Sequence, residues 1–295
     1  MTRATEATVL RLATRGSALA RAQAALASRS LGELTGASTE LVVVSTGGDR
    51  NQSTVISDLE GQGWFTAEIE RALLDGRADV AVHSAKDLPT QLAPGLEVVA
   101  LLPRADPRDA VVTRTGGGLA GLPLGARVGT SSARRAALIG DLRPDLECVA
   151  IRGNVDTRLR KLEAGEVDAL VVATAGLDRL GIGDRADERL DPEVFVPAPA
   201  QGAIALEAVA GTHAARCAGS AGDAVTAVAV RCERDLLLAM GGGCLLPLGA
   251  WARVEGDRLV LSAALAVGGE VRRARAAGDP EDAAALVAQV AAALG

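Results

Sequence analysis

Residues 80–90 read VAVHSAKDLPT, and the fold turns on how that run is interpreted. Val80, Ala81 and Val82 follow Asp79 as a short, wholly apolar stretch, the pattern of a buried strand. The apolar character stops at His83-Ser84-Ala85-Lys86-Asp87, and Leu88-Pro89 closes the run. A Lys beside an Asp just past the end of a buried strand is where an open α/β sheet keeps its chemistry. Taken alone, the same pair reads equally as a solvated turn.

The run does not stand alone. LLDGRADVAVHSAKDL (73–88) lies over LEAGEVDALVVATAGL (162–177) without a gap, matching Gly76 with Gly165, Asp79 with Asp168 and Leu88 with Leu177. TRGSALARAQAAL (14–26) likewise resembles TSSARRAAL (130–138), both being strand-to-helix turns with hydroxyls and arginines. Two similar α/β lobes are predicted, with a ligand cleft at the strand C-termini. The first lobe takes strands at 9–13, 41–45 and 79–82 and helices from Ser17 to about 34 and over 66–75. The second takes strands at 127–129, 147–151 and 168–174 and helices over 133–141 and 154–164. Residues 50–63, polar and broken by glycines, read as a mobile loop. Residues 103–107 and a Pro-rich segment at 196–200 read as two crossings between lobes. Beyond them, a helix over 223–240 carries Val225, Val228, Cys232, Leu236 and Ala239 on one face, followed by strands at 258–267 and 270–276 and a helix over 280–294. The expected fold class is therefore α/β, with residues 1–102 plus 196–220 as lobe 1, 103–195 as lobe 2, and a smaller α+β C-terminal domain over 221–295.

Composition narrows the function. The 295 residues are 48% hydrophobic and 23% charged, ordinary globular values. Aromatics make up 1%, with no Tyr, so stacking platforms for single-stranded nucleic acid are missing. A net charge of −6 offers no general attraction to phosphate backbones or anionic membranes. No run approaches the apolar length of a membrane span, and the N-terminal MTRATEATVLRL has no signal-like core, so neither nucleic acid nor membrane is expected as a partner and the location is read as cytoplasmic. Cys148, Cys217, Cys232 and Cys244 form no CxxC and no paired spacing with the two His, which argues against metal.

Arginines gather where anions bind. Arg15, the pair Arg134 and Arg135, and Arg152 with Arg158 all lie at strand-to-helix turns, at the helix end whose dipole disfavours cations and whose N–H groups seek anions. The fork of arginine suits carboxylates and phosphates alike, so a polyanionic small molecule is inferred. Solvated surface arginines are the plainer alternative for any single one. Cys244 follows three glycines in a loop, which makes its thiol available for covalent attachment, although a small residue near glycines needs no role.

Set side by side, RLATRGSALA, FTAEIERALLDGRADVAVHSAKDLPT, DPRDAVV, VGTSSARR, IRGNVDTRLRKLEAGEVDA, AGLDRLG, PAPAQGA and GGGCLLPLGA closely resemble the porphobilinogen deaminase (hydroxymethylbilane synthase) family, in order from residue 11 to 250. The resemblance implies two periplasmic-binding-protein-like lobes and a third domain. It also implies a transferase of haem biosynthesis that joins four porphobilinogen molecules on a dipyrromethane cofactor, releasing ammonia and hydroxymethylbilane. By resemblance the cofactor is attached to Cys244 and the catalytic aspartate is Asp87. Lys86, Arg134, Arg135 and Arg158, with Thr130, Ser131 and Ser132, are implied as cofactor ligands. Arg15, Ser17, Arg152, Gln201 and Phe65 are implied on the substrate side, and Asp49 matches an acidic position of the family. A monomer is expected. Gly47 and Gln62 stand where many members carry cations, Trp64 where they carry an aliphatic residue, and Ala200 where glycine is common. The rival from another class is a non-catalytic two-lobed anion-binding protein; a pyridoxal enzyme stands further off because Lys86 lacks a phosphate cup.

Overall fold

The computed structural model describes residues 9–45, 66–242 and 246–295. Among these, the elements begin with β1 (Val9–Arg15), α1 (Ala18–Thr35), β2 (Ser38–Val44), α2 (Ala67–Leu74), β3 (Val80–Ser84) and β4 (Leu96–Leu101). There follow β5 (Asp109–Thr113), β6 (Arg127–Gly129), α3 (Ala133–Leu142), β7 (Glu147–Val149), α4 (Val155–Glu163), β8 (Ala169–Ala173), α5 (Thr174–Arg179) and β9 (Glu188–Arg189). The chain closes with β10 (Ile204–Val209), α6 (His213–Gly219), α7 (Ala224–Ala239), β11 (Leu248–Glu255), β12 (Arg258–Val267), β13 (Glu270–Gly278) and α8 (Ala283–Leu294). Two compact units result, residues 1–104 with 203–227 and residues 105–202 with 228–295.

The first unit holds one five-stranded sheet in the order β2-β1-β3-β10-β4, with β1 parallel to β2 and β3 and with β10 antiparallel to β3 and β4. The second unit repeats that plan as β7-β6-β8-β5-β9, with β6 parallel to β7 and β8 and with β5 antiparallel to β8 and β9. The internal repeat read from the sequence is thus a repeat of architecture. What makes the two copies alike is local. Gly76 and Gly165 adopt φ of 66° and 77°, the left-handed conformation that ends α2 and α4. Asp79 then accepts the Arg11 backbone N–H at 2.8 Å, and Asp168 accepts that of Arg127 at 2.8 Å, so equivalent carboxylates hold β1 in one lobe and β6 in the other.

Strand alternation assigns the two faces of the first sheet. Leu10, Leu12, Val80, Val82, Ile204 and Leu206 pack with Ala24, Ala27 and Leu31 of α1. Ala13 and Ala81 pack with Ile69, Ala72 and Leu73 of α2. Small Ala side chains let α1 sit close to the sheet, and Ser17 caps it by accepting the Ala20 N–H at 3.2 Å.

The second unit also contains the antiparallel meander β11-β12-β13, whose core of Leu248, Leu259, Leu261, Leu286 and Val290 closes against α7 and α8. Cys232 lies in this core, as its helical position predicts. The predicted face of α7 needs correcting, because Val225 is 58% exposed and Ala239 is also exposed. Leu236 is buried as expected, and Ala229 and Glu233 are buried with it. The Glu233 carboxylate accepts the backbone N–H groups of Ala200 at 2.6 Å and Ala252 at 2.7 Å, which turns the helix toward that side. The helix expected from residue 280 opens as a 3-10 turn, Pro280–Asp282, and becomes α-helical at Ala283. Ala200, in place of the family's common glycine, takes φ 63°, the one non-glycine with positive φ among the described residues.

Gly202 has φ 91°, and a Cβ there would meet the Ala105 carbonyl oxygen at 2.6 Å. Backbone cannot swing aside as a side chain does. Gly202→Ala is therefore expected to cost about 1–3 kcal/mol, seen as a lower heat-melt midpoint; an unchanged midpoint would contradict this account of the turn.

Candidate active site

The 3-10 turn Ala85–Asp87 continues directly from β3. Its backbone is anchored, with the Ala85 N–H donating to the Ala203 carbonyl at 3.1 Å and the Leu88 N–H to Ala85 at 3.3 Å. Ala85, Leu88 and Pro89 are buried while Lys86 and Asp87 are exposed. Behind the turn, Ser84 exchanges hydrogen bonds with Gln23 of α1 (2.8 and 3.2 Å), and His83 Nε2 lies 2.8 Å from Glu207 Oε2. The turn is thus built on buried polar links and presents one cation and one carboxylate outward. On the strand paired with β3, Arg15 ends β1, and Ser17 just beyond it is spent on capping α1.

The equivalent point in the second lobe is different. Lys86 and Asp87 correspond to Ala175 and Gly176, which lie buried in α5. One fold, used twice, carries a Lys-Asp pair once.

Around α3, the predicted hydroxyls serve the backbone. Thr130 Oγ1 accepts the Ser132 N–H at 3.2 Å, Ser131 bonds both the N–H and the carbonyl of Ile151 (3.1 and 2.7 Å), and Ser132 caps the helix at the Arg135 N–H. Arg134 and Arg135 are 4% and 7% exposed. Both grip Asp109 of β5: Arg134 Nη2 at 2.7 Å on one oxygen, Arg135 Nη2 and Nε at 2.7 and 3.0 Å on the other. Gln201 Nε2 adds a bond of 3.0 Å to Asp109 and is itself fully buried. The guanidiniums also reach main-chain carbonyls, Arg134 that of Val196 and Arg135 that of Val171. Burial would raise the Asp109 carboxyl, but the two guanidiniums and Gln201 outweigh it and hold it down at about 2. Two buried cations face one buried carboxylate. Arg134 Nε, buried, has no hydrogen-bond partner.

Arg152 follows β7, and its Nη2 is likewise buried and unpartnered. Arg158 Nε donates to the Gly153 carbonyl at 2.8 Å. Asn154 occupies the cap position of α4 without a side-chain bond. Cys244, Phe65 and Asp49, together with Gly47, Gln62 and Trp64, lie outside the described residues. Of the other cysteines, Cys232 is buried, its thiol pushed up to about 12 by burial and then by Glu233 and Asp235. Burial also raises the Cys148 thiol; neither suits nucleophilic work. Among the described residues no three His, Cys, Asp or Glu gather to hold a metal, and no helix is long and apolar enough to cross a membrane. Asp109 was not singled out from the sequence. The available signal was an acidic residue opening the apolar run DAVVT, since a charge in a buried strand requires a partner.

The protein is a twice-built α/β architecture whose second lobe leaves two buried guanidinium donors, Arg134 Nε and Arg152 Nη2, without partners. The family model described as porphobilinogen deaminase, dipyromethane cofactor binding domain, matches residues 10–216, and the model of the C-terminal domain matches 227–295. The porphobilinogen deaminase of Sorangium cellulosum is 48% identical over 271 residues, 90% of either chain. That of Acidothermus cellulolyticus is 46% identical over 299 residues, 99% of this chain and 90% of the relative. This chain belongs to the porphobilinogen deaminase family, whose members are transferases. Among solved structures, a periplasmic substrate-binding protein from Coxiella burnetii gives a TM-score of 0.45 at 14% identity over 72% of this chain and 91% of that chain, and nothing is built on that likeness.

The charge arrangement sets a pH dependence. Asp109 titrates at about 2 when folded against 3.8 unperturbed, so its stabilisation is present above 3.8 and drains as pH falls toward 2. The span is roughly 2 kcal/mol. Asp109→Asn is expected to flatten that acid limb and to cost about 3–5 kcal/mol at neutral pH, because two buried cations lose their carboxylate. Denaturant melts of both proteins from neutral to acid pH check this, and equally steep acid limbs would refute it.

Proposed function

We propose that this chain catalyses the head-to-tail condensation of four porphobilinogen molecules, with Asp87 as the acid–base residue and Cys244 carrying the dipyrromethane. The observation that carries the reading is the exposed Lys86-Asp87 pair on an anchored strand-end turn, where the other lobe's copy has Ala175-Gly176.

The residues fit the cofactor. Arg134 Nε and Arg152 Nη2 are buried N–H donors without partners, the complement of an acetate or propionate. Arg134, Arg135 and Arg158 with Lys86 would hold its carboxylates, and Thr130, Ser131 and Ser132 shape the turn beside them. Bound, the dipyrromethane supplies the pyrrole carbon from which the chain is extended. Arg15, Arg152 and Phe65 would serve the incoming porphobilinogen, each pyrrole of which bears two carboxylates, with Ser17 shaping the turn beyond Arg15 and Gln201 holding Asp109 behind the arginines.

Each condensation breaks the bond between the aminomethyl carbon and nitrogen, forms a bond from that carbon to a pyrrole carbon, and releases ammonia. Asp87 delivers a proton to the leaving amine, and the resulting carboxylate then stands beside the positive charge left on the pyrrole nitrogen. The proton displaced from the pyrrole carbon restores the acid. Lys86, adjacent, orients a substrate carboxylate. The lobe and domain divisions at 1–102 with 196–220, 103–195 and 221–295, a monomeric state and a cytoplasmic location complete the proposal.

Asp87→Ala is expected to lose at least about 10²-fold in turnover while the intact mass still carries two linked pyrroles. Near-normal turnover would remove Asp87 from the mechanism. In a parallel experiment Cys244→Ser should lack the added mass and Cys232→Ser should keep it. The mass found on another cysteine would overturn the attachment, and no mass gain after incubation with porphobilinogen would leave a binding protein without catalysis.

A further inference from the structure

Ala200, with its φ of 63°, is buried in the segment that returns beside the guanidiniums of the second lobe. An L residue rarely adopts this conformation and persists in it where the surroundings over-determine it, a situation that gathers at functional sites. The surroundings here include a buried carboxylate that the reaction above does not use. Glu233, fully buried on α7, accepts the Ala200 N–H at 2.6 Å on Oε2 and the Ala252 N–H of β11 at 2.7 Å on Oε1. An ionised carboxylate only accepts, which suits a point where two backbone donors from different segments converge.

The same short segment carries bonds to the arginine cluster. Arg134 Nη1 donates to the Val196 carbonyl at 2.6 Å. Gln201, the residue after Ala200, donates to Asp109 at 3.0 Å and to the Pro107 carbonyl at 2.9 Å. β11 closes on the segment as well: the Ala250 N–H donates to the Pro197 carbonyl at 2.9 Å, and a Cβ on Gly249 would meet the Val196 carbonyl oxygen at 2.5 Å. Residues 196–201 therefore join two C-terminal elements, α7 and β11, to the cluster of Asp109, Arg134 and Arg135. In sequence, α7 and β11 are also the elements on either side of Cys244.

We infer that Glu233 is a positioning residue: it holds Ala200 in the left-handed conformation and so aims Gln201 at Asp109 and sets Arg134 and Arg135. The inference rests on the reading above in which those arginines hold carboxylates of the cofactor. Without the Glu233 bond, Ala200 relaxes toward the negative φ that L residues prefer, a rotation of about 120°. Val196 and Gln201 lie on opposite sides of that rotation, so both cannot keep their partners. Gln201 then leaves Asp109, and the guanidiniums lose part of what fixes them. A misplacement of this kind, remote from the reacting atoms, lowers rate more than substrate binding.

The test uses the full-length enzyme, Glu233→Ala, and Glu233→Ala combined with Ala200→Gly. Glu233→Ala is expected to lose on the order of 10- to 10²-fold in kcat, with KM for porphobilinogen little changed. Glycine takes positive φ without a steric penalty, so the double variant should regain a large part of that kcat. A role confined to stability through Ala252 predicts no such rescue, and equal kcat in the single and double variants overturns the inference. Near-normal kcat in Glu233→Ala overturns it as well. Hydrogen exchange followed by NMR gives a second readout. The Arg135 Nε–H, bonded to Asp109 at 3.0 Å, should exchange faster in Glu233→Ala and slow again in the double variant. Where Glu233→Ala does not fold, Glu233→Gln replaces it, since its amide N–H group faces one of the two backbone donors. Wild type alone also decides: an Ala200 amide that exchanges as freely as one in water contradicts the 2.6 Å bond. Failure of the cofactor reading is distinct, because the exchange results would then stand while the wild-type protein gained no pyrrole mass.

Discussion

Everything in the second lobe leans on a carboxylate placed where a carboxylate is expensive. Asp109 sits fully buried on β5, between two strands of the sheet, and is held by Arg134, Arg135 and Gln201. Taking an ion out of water costs several kcal/mol, and charge-assisted bonds of good geometry are needed to recover it. Here those bonds join three segments at once: the fourth strand of the lobe, which carries Asp109, the first turn of α3, and the returning segment that contains Ala200 and Gly202. None of the three can shift without stranding a charge. The position of the arginines is therefore set before any ligand arrives, the condition under which electrostatic groups act without reorganising.

The two lobes show how a duplicated plan comes to carry chemistry in one copy. Glycine in the left-handed conformation, the aspartate that holds the neighbouring strand, and the apolar strand itself recur at Gly76, Asp79 and Val80–Ser84 and again at Gly165, Asp168 and Ala169–Ala173. These are requirements of the fold, and they act over a few residues. The copies part only after the strand. One ends in a 3-10 turn that leaves Lys86 and Asp87 in water; the other winds straight into α5 and buries Ala175 and Gly176. Exposure of a charged pair needs both polar residues and a turn too short to cover them.

That difference also explains what could be read from the chain. The repeat, the parallel strands and the strand-end pair were legible because each depends on neighbours in sequence. The antiparallel fourth strands β5 and β10 were not, since their pairing joins segments far apart, such as His83 with Ala205. The arginines at α3 show the boundary most clearly. A helix N-terminus announces an anion, and sequence reasoning assigned that anion to a ligand. The structure shows a protein carboxylate at the same guanidiniums, Asp109, 25 and 26 residues before the two arginines. Local patterning has no means of telling a protein carboxylate from a bound one. The face of α7 failed for a related reason, because its buried side includes Glu233, which a search for apolar spacing passes over.

The charge balance of each lobe points in an opposite direction. Asp109 meets two guanidiniums, leaving positive charge and unpartnered N–H groups at Arg134 and Arg152. Glu207 meets one imidazole, leaving its other carboxylate oxygen buried without a partner. A dry interior tolerates neither surplus for long. Positive surplus in the second lobe is left on the donors Arg134 Nε and Arg152 Nη2, which the proposed binding of carboxylates would satisfy. The overall charge of −6 says nothing about either surplus, because each is decided by the few groups that a lobe has removed from water.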